Sequence, residues 1–246
     1  MGKPLISDIA MRGMYRSMQH LAAEQRSAQF ALHLPRALRG VLLRDPIAVP
    51  AALFSQLHRR DTVLTEGDNP LVQTAQDTWF AHAGAPAVHA THGSAEACAA
   101  IAAGMALRIA DRAARQHGDT SAGQSALPVV VALLRSFPPL SPVLQLLQQH
   151  DLALLLVVGG ESDSRADAQR RTQSTTVPIL SVDRADAVAL CRVLQECLLR
   201  ARNGWGGAVI HATQLPLLQD PLLLMRQHLE KRSLAEVEVT TAPLHG

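Results

Sequence analysis

The side chains best suited to chemistry concentrate in one stretch of the sequence. His82, His89 and His92 lie close together there, and Glu66 and Asp68 flank a glycine a little earlier. Three imidazoles could hold a metal ion, but the His-x-x-His spacing comes with neither a paired cysteine nor a Glu-x-x-His pattern, which favours ordinary loop histidines. The two carboxylates could act as an acid/base pair. A turn rich in Gly, Asp, Asn and Pro uses the same residue types, however, and is the favoured interpretation.

A second candidate site follows an apolar run. Gly159 and Gly160 end the run Leu152–Val158, and Ser162 and Asp163 follow shortly after. Such glycines could bind an anion, since open α/β sheets place ligands at the carboxyl ends of their strands. A plain turn into a polar surface segment explains the same residues, and both interpretations stay open. The sequence contains no dinucleotide GxGxxG fingerprint, P-loop or GxSxG nucleophile motif.

Continuous apolar runs alternate with helical patterns in the second half of the chain. The predicted strands are Leu127–Leu134, Leu152–Val158, Val177–Val182 and Ala208–Ala212. The predicted helices are Val143–His150, one capped by Asp183 that runs roughly 28 Å to Arg202, and one opened by Asp220 that runs to about Arg232. This alternation predicts an α/β protein with a parallel sheet covered by helices on both faces.

The first half of the chain has a different sequence pattern. Residues 1–60 are expected to form a helical N-terminal segment that Pro46 and Pro50 interrupt, and residues 61–94 a loop region. An Ala-rich helix then begins at Ala95, and its small residues, including Gly104, suggest that another backbone packs against it. We expect all 246 residues to form a single domain.

Composition excludes several classes of protein. The chain carries a formal net charge of +2 and 18% charged residues, so a nucleic-acid footprint is not expected. Three cysteines without a CxxC pair argue against a disulfide framework. The N-terminus lacks a signal-peptide pattern and no apolar run is long enough to cross a membrane, so we expect a soluble, cytoplasmic protein without a membrane partner.

Several short motifs recur in a fixed order along the chain. From Val177 onward the pattern consists of Pro178, Val182, Asp183, Asp186, Ala201, Arg202, Gly204 and Gly206. Three further segments accompany it, namely Met14–Met18, Ala95–Arg108 and Asp220–Leu234. Together they resemble the alpha subunit of thiamine-diphosphate-dependent 2-oxo acid dehydrogenases. The resemblance covers most of the chain and implies the thiamine-diphosphate-binding fold. It also implies a partner, either a second copy or a beta-type dehydrogenase chain.

The residues that hold the cofactor in that family are largely absent. The family binds the diphosphate through Mg²⁺, with Gly-Asp-Gly after one strand and Asn after the next, because the hard cation requires oxygen ligands. Arg135 stands near the expected Gly-Asp-Gly, and Gly159-Gly160 stand where Glu-Asn-Asn is expected. His89 and Gly93 match single positions of the family's cofactor loop. The resemblance therefore leaves a vestigial cleft of His89, Gly93, Gly159, Gly160 and Glu161.

Three functional hypotheses follow. The leading one is a degenerate alpha-type subunit, without catalytic residues, metal or cofactor, that has a structural or regulatory role. The second is an active dehydrogenase subunit that binds thiamine diphosphate and Mg²⁺ through an atypical site, for which Glu161 is the carboxylate to test. The third is a small-molecule-binding protein that reuses the old cofactor cleft.

Overall fold

The structure, a computed structural model, describes residues 6–30, 47–80, 84–116, 126–136, 141–160, 176–213 and 220–234. In these ranges six parallel strands form one sheet. The strands are β1 (Thr62–Glu66), β2 (Ala87–Thr91), β3 (Val130–Leu134), β4 (Leu154–Gly160), β5 (Ile179–Asp183) and β6 (Ala208–Thr213). Their order across the sheet is β2-β1-β3-β4-β6-β5.

Helices cover both faces of this sheet. They are α1 (Asp8–Phe30), α2 (Ala48–Phe54), α3 (Pro70–Phe80), α4 (Ala95–Gln116), α5 (Ser141–His150), α6 (Ala187–Arg202) and α7 (Pro221–Glu230). Side chains of α4 and α5 belong to one buried cluster, and those of α1, α2, α3, α6 and α7 to the other. The predicted α/β class, with a parallel sheet between two helical layers, is thereby confirmed.

Strand β4 shows why its sequence is apolar throughout. Leu154 and Leu156 point into the core beneath α4 and α5, whereas Leu155 and Val157 point into the core on the opposite face. Because successive side chains of a strand alternate between faces, a central strand with two covered faces needs a hydrophobic residue at every position. The predicted strands of the second half differ from the observed ones only at their ends.

The expectation for residues 61–94 is wrong. This stretch contains β1, α3 and β2 rather than a long loop. The polar residues that suggested a loop instead begin a helix: Asn69 Oδ1 accepts hydrogen bonds from the backbone N–H groups of Leu71 and Val72, at 3.1 and 3.3 Å, and Pro70 is the first helical residue. Proline is favoured there because its missing N–H would have no partner in the first turn.

The structure also differs from expectation at the start of α6 and at Pro50. Asp186, not Asp183, caps α6: its Oδ1 accepts from the N–H groups of Val188 and Ala189, at 2.9 Å each. Pro50 does not interrupt a helix but lies within the first turn of α2. The cap expected at Asp220 is present, with Oδ1 2.9 Å from the N–H of Leu222.

No helix in the described part of the chain is both long and apolar enough to span a membrane.

Candidate functional site

The order of the strands identifies where this sheet would place a ligand. From β1 the chain passes first to β2 on one side and then to β3 on the other. The connecting helices α3 and α4 consequently lie on opposite faces. In open parallel sheets a crevice lies at the carboxyl ends of the strands at such a reversal, and ligands bind there. The residues that follow β1 and β3 are therefore the first to examine.

Arg135 lies across this crevice. It follows β3 directly, and its backbone N–H donates a 2.8 Å hydrogen bond to Glu66 Oε2 at the end of β1. Its guanidinium Nη2 donates to the backbone carbonyl of Asp68 at 3.3 Å. A Cβ added to Gly67 would lie 3.5 Å from the same Nη2. The Arg135 side chain thus turns back from β3 over the turn that follows β1.

The turn after β1 owes its shape to its glycine. Gly67 has a φ of +75°, a conformation that side chains disfavour, and its carbonyl accepts a 2.7 Å hydrogen bond from Thr65 Oγ1. One oxygen of the neighbouring Glu66 carboxylate is bound to the backbone of Arg135. Asp68 is exposed. These contacts give both acids a place in a strand-to-helix turn, as the sequence favoured.

A buried thiol lies beside this turn. Cys98 in α4 is fully buried and forms a side-chain hydrogen bond with Thr91 at the end of β2. Thr91 Oγ1 in turn donates to the carbonyl of Thr65 at 2.9 Å. Burial raises the pKa of Cys98, and the nearby charge of Glu66 raises it further, against the lowering effect of the Thr91 hydrogen bond. A thiol with a raised pKa is a poor nucleophile, so this cysteine packs rather than reacts.

The histidines do not form a metal site in the described residues. His89 lies in the middle of the edge strand β2, opposite Leu64, and His92 follows that strand; both are exposed. His82 lies outside the described residues. No three His, Cys, Asp or Glu side chains within the ranges given above are arranged to hold a metal ion.

The five residues of the predicted vestigial cleft do not all come together. Gly159 and Gly160 end β4, opposite Ala212 and Thr213 of β6. His89 and Gly93 lie in or after β2, and β1 and β3 stand between the two pairs. Three strand spacings place β2 about 14 Å from β4. Glu161 lies outside the described residues, so the carboxylate of the atypical-site hypothesis has no observed position.

The described strand ends do not fit a diphosphate-bound Mg²⁺. The resemblance places the metal ligands after two neighbouring strands, and β3 and β4 are indeed adjacent and parallel. At these ends, however, the structure shows a guanidinium at Arg135 and a glycine at position 159, where an added Cβ would lie 3.8 Å from the carbonyl of Leu134. A guanidinium has no lone pair to give to a metal, and its positive charge repels a divalent cation.

Comparison with known proteins adds no family. A scan against protein-family models finds no match, and no curated protein matches the chain. The resemblance to the dehydrogenase alpha subunit therefore stays a prediction.

A second cluster of polar groups, at the opposite edge of the sheet, was missed by the sequence analysis. Asp61, directly before β1, is buried and pairs with Arg202 at the end of α6. His58, Arg59 and Arg60 precede it and line a pocket. The available signal was the charged run His-Arg-Arg-Asp that ends at a hydrophobic strand, because a charge entering a core requires a partner.

Proposed function

We propose that this chain is a non-catalytic alpha-type subunit of a 2-oxo acid dehydrogenase component, with a structural or regulatory role. The observation that carries the proposal is the position of Arg135. Arg135 follows β3, where the resemblance expects the first metal ligands, and its guanidinium lies over the turn after β1, at the strand reversal. Loss of the ligands together with a cation in their place favours a subunit that kept its fold and lost its cofactor.

Contacts between the motif segments support the family resemblance. Tyr15, from the segment Met14–Met18, accepts a 3.2 Å hydrogen bond on its hydroxyl from Arg226 Nη2 in the segment Asp220–Leu234. The helices that carry these two segments, α1 and α7, pack against each other. Segments that are distant in sequence and belong to one family pattern are expected to meet in the fold of that family.

The proposal includes assembly through the outer face of α4. Its buried alanines, including Ala99, Ala102 and Ala106, pack onto the sheet and explain part of the Ala-rich pattern. The opposite side exposes Ile101 and Leu107, which are 49% and 38% accessible. A Cβ on Gly104 would have no neighbour within 4 Å. A helix face with exposed apolar side chains beside Gly104 suits a second copy or a beta-type chain.

Thermal unfolding with thiamine diphosphate plus Mg²⁺ tests the loss of the cofactor. We expect the same Tm as with Mg²⁺ alone. A ligand at 100 times its Kd would add about 2.7 kcal/mol, or roughly 5–10 °C for a chain of this size. A shift of that size would instead support the active enzyme with an atypical site. If the wild type shows no shift, a shift in the Arg135→Ala variant would indicate that the guanidinium excludes the cofactor.

Light scattering tests the assembly. If a second copy covers α4, Gly104→Leu should shift the protein from dimer to monomer at micromolar concentration, because the new side chain would separate the helices. Ala23→Leu, exposed on α1 in the other helical layer, should leave the dimer intact. A wild-type chain that is monomeric, or a Gly104→Leu dimer as stable as the wild type, contradicts self-assembly through this face.

A further inference from the structure

The amino-terminal edge of the sheet holds an open pocket of about 550 Å³. It lies between the turn that precedes β1 and the segment that precedes β3, on the edge opposite the crevice of Arg135. Pockets that bind small molecules have volumes of roughly 300–1,000 Å³. The size alone permits a metabolite, and the residues around the pocket indicate its chemistry.

The floor of the pocket is fixed by the carboxylate of Asp61. Its Oδ2 accepts hydrogen bonds from the backbone N–H of His58 at 2.7 Å and from Arg202 Nη2 at 2.6 Å. Its Oδ1 accepts from the backbone N–H of Val129 at 2.9 Å. Arg202 also donates to the carbonyl of Gln56 at 3.1 Å. One buried side chain thereby ties both segments that line the pocket to the end of α6, which makes the pocket preformed.

The wall of the pocket is apolar and partly aromatic. Phe80, Leu127 and Pro128 line it and are each half-buried. The ring of Phe80 meets Phe54 edge to face, with the ring centroids 6.4 Å apart and the planes at 73°. Because Phe54 is buried in the core, this contact holds the Phe80 ring in position. The wall can therefore accept a flat or aliphatic body.

The rim of the pocket is cationic through its arginines. Arg59 and Arg60 are exposed around it, next to His58. Gly84, with a φ of +78°, lies under the stem of Arg59, since a Cβ there would be 3.7 Å from Arg59 Cδ. The single carboxylate of the described lining, that of Asp61, is already neutralised by Arg202. The positive charge of Arg59 beside an apolar wall is the complement of an anionic amphiphile.

We propose that this pocket binds a small organic anion, whose carboxylate or phosphate meets the arginine rim and whose apolar body lies against Phe80 and Leu127. This inference is independent of the proposed subunit function, because it concerns the other edge of the sheet and does not involve Arg135. It assigns the chain a ligand site that the family resemblance does not supply.

A pair of fluorescent probes tests the proposal on the full chain. The first is 1-anilinonaphthalene-8-sulfonate, and the second is N-phenyl-1-naphthylamine, which has the same aromatic body without the anionic group. We expect saturable binding of one sulfonate probe per chain, and binding of the neutral probe at least about tenfold weaker, the effect of one charge-assisted contact.

Variants locate the binding site. Arg59→Gln should weaken binding of the sulfonate probe about tenfold and leave the neutral probe unchanged, since only the charged contact is removed. Arg108→Gln, exposed on α4, is the matched control and should change neither. Ala126→Trp should abolish binding of both probes, because Ala126 is exposed at the pocket and a large ring there fills it. Ala114→Trp on α4 is its control.

Competition assigns the anionic group. Displacement of the sulfonate probe by phenyl phosphate but not by benzoate indicates a phosphate ligand, and the reverse indicates a carboxylate. Benzyl alcohol, which has no anionic group, should not displace the probe. The proposal is overturned if both anions fail to displace the probe, if Arg59→Gln binds it as tightly as the wild type, or if the neutral probe binds equally well. Each variant must first show cooperative thermal unfolding, which separates a lost site from a lost fold.

Discussion

Asp61 and Arg202 form a buried ion pair across 141 positions of the chain, with 2.6 Å between Asp61 Oδ2 and Arg202 Nη2. The Asp61 side chain is 1% exposed and that of Arg202 11%. The same carboxylate accepts hydrogen bonds from two backbone N–H groups, those of His58 and Val129. The Asp61 carboxylate thus joins the turn before β1, the segment before β3 and the C-terminal end of α6.

Removing one partner of this ion pair should strongly lower the stability of the fold. Arg202→Met leaves the buried Asp61 carboxylate without its counter-charge, which typically destabilises a protein by about 3–5 kcal/mol. Urea denaturation should show a lower midpoint with an unchanged m-value. Arg192→Met, exposed on the same helix, should cost less than about 0.5 kcal/mol. Equal stability of the two variants would show that the ion pair does not hold this edge together.

Replacing Gly207 or Gly104 with alanine should change the free energy of unfolding in opposite directions. A Cβ on Gly207 would clash with the carbonyl of Leu154 and approach Leu147 Cδ2 to 2.7 Å. Because a carbonyl in a central strand cannot move aside, Gly207→Ala should cost about 3 kcal/mol. Within one chain a Cβ on Gly104 meets nothing within 4 Å, so Gly104→Ala should stabilise α4 by about 0.5–1 kcal/mol when measured on the monomer. The free energy of unfolding of both variants, measured in urea, checks the difference in sign.

The helix cap at Asp186 can be separated from the expected cap at Asp183. Asp186→Ala leaves the N–H groups of Val188 and Ala189 without their acceptor and should cost about 1–2 kcal/mol. Within the described part of the chain, the carboxylate of Asp183 accepts only from the N–H of Ala185, at 3.0 Å, and Asp183→Ala should cost less. Thermal unfolding of the two variants side by side decides, and a larger loss for Asp183→Ala would contradict the observed cap.

Alkaline pH should weaken the fold through Cys197. Burial raises the pKa of this thiol from 9.0 to about 11, with Glu196 adding to the increase and Arg200 opposing it. The unfolded chain therefore releases the proton at lower pH than the folded protein. The stabilisation is complete below about pH 9 and is lost as the pH rises towards 11, for a total of roughly 2–3 kcal/mol.

Comparison with a variant isolates this effect. Stability measured in urea at several values between pH 8 and pH 11 should fall less steeply for Cys197→Ala than for the wild type. The cavity left by the missing sulfur lowers stability equally at every pH and leaves the slope unaffected. Parallel curves for the two proteins would show that Cys197 ionises at its ordinary pKa in the fold.

The sequence alone determined the class of the fold and most elements of its second half. Buried strands such as β4 are continuous apolar runs because both of their faces are covered, and that pattern is local. Asp220 was recognisable as a cap because capping depends on residues two or three positions away. The strands β1 and β2 were missed because neither is a continuous apolar run: β1 reads TVLTE, and the edge strand β2 reads AVHAT and is largely exposed.

Only the tertiary structure decided which of the chemically capable residues meet. The family resemblance put His89 and Gly159 in one cleft, but the order of strands inserts β1 and β3 between them. Strand order likewise brought Arg135 to Glu66 and Asp61 to Arg202. Such pairs depend on which strands become neighbours, and that choice follows from packing two helical layers onto one sheet rather than from any short segment of sequence.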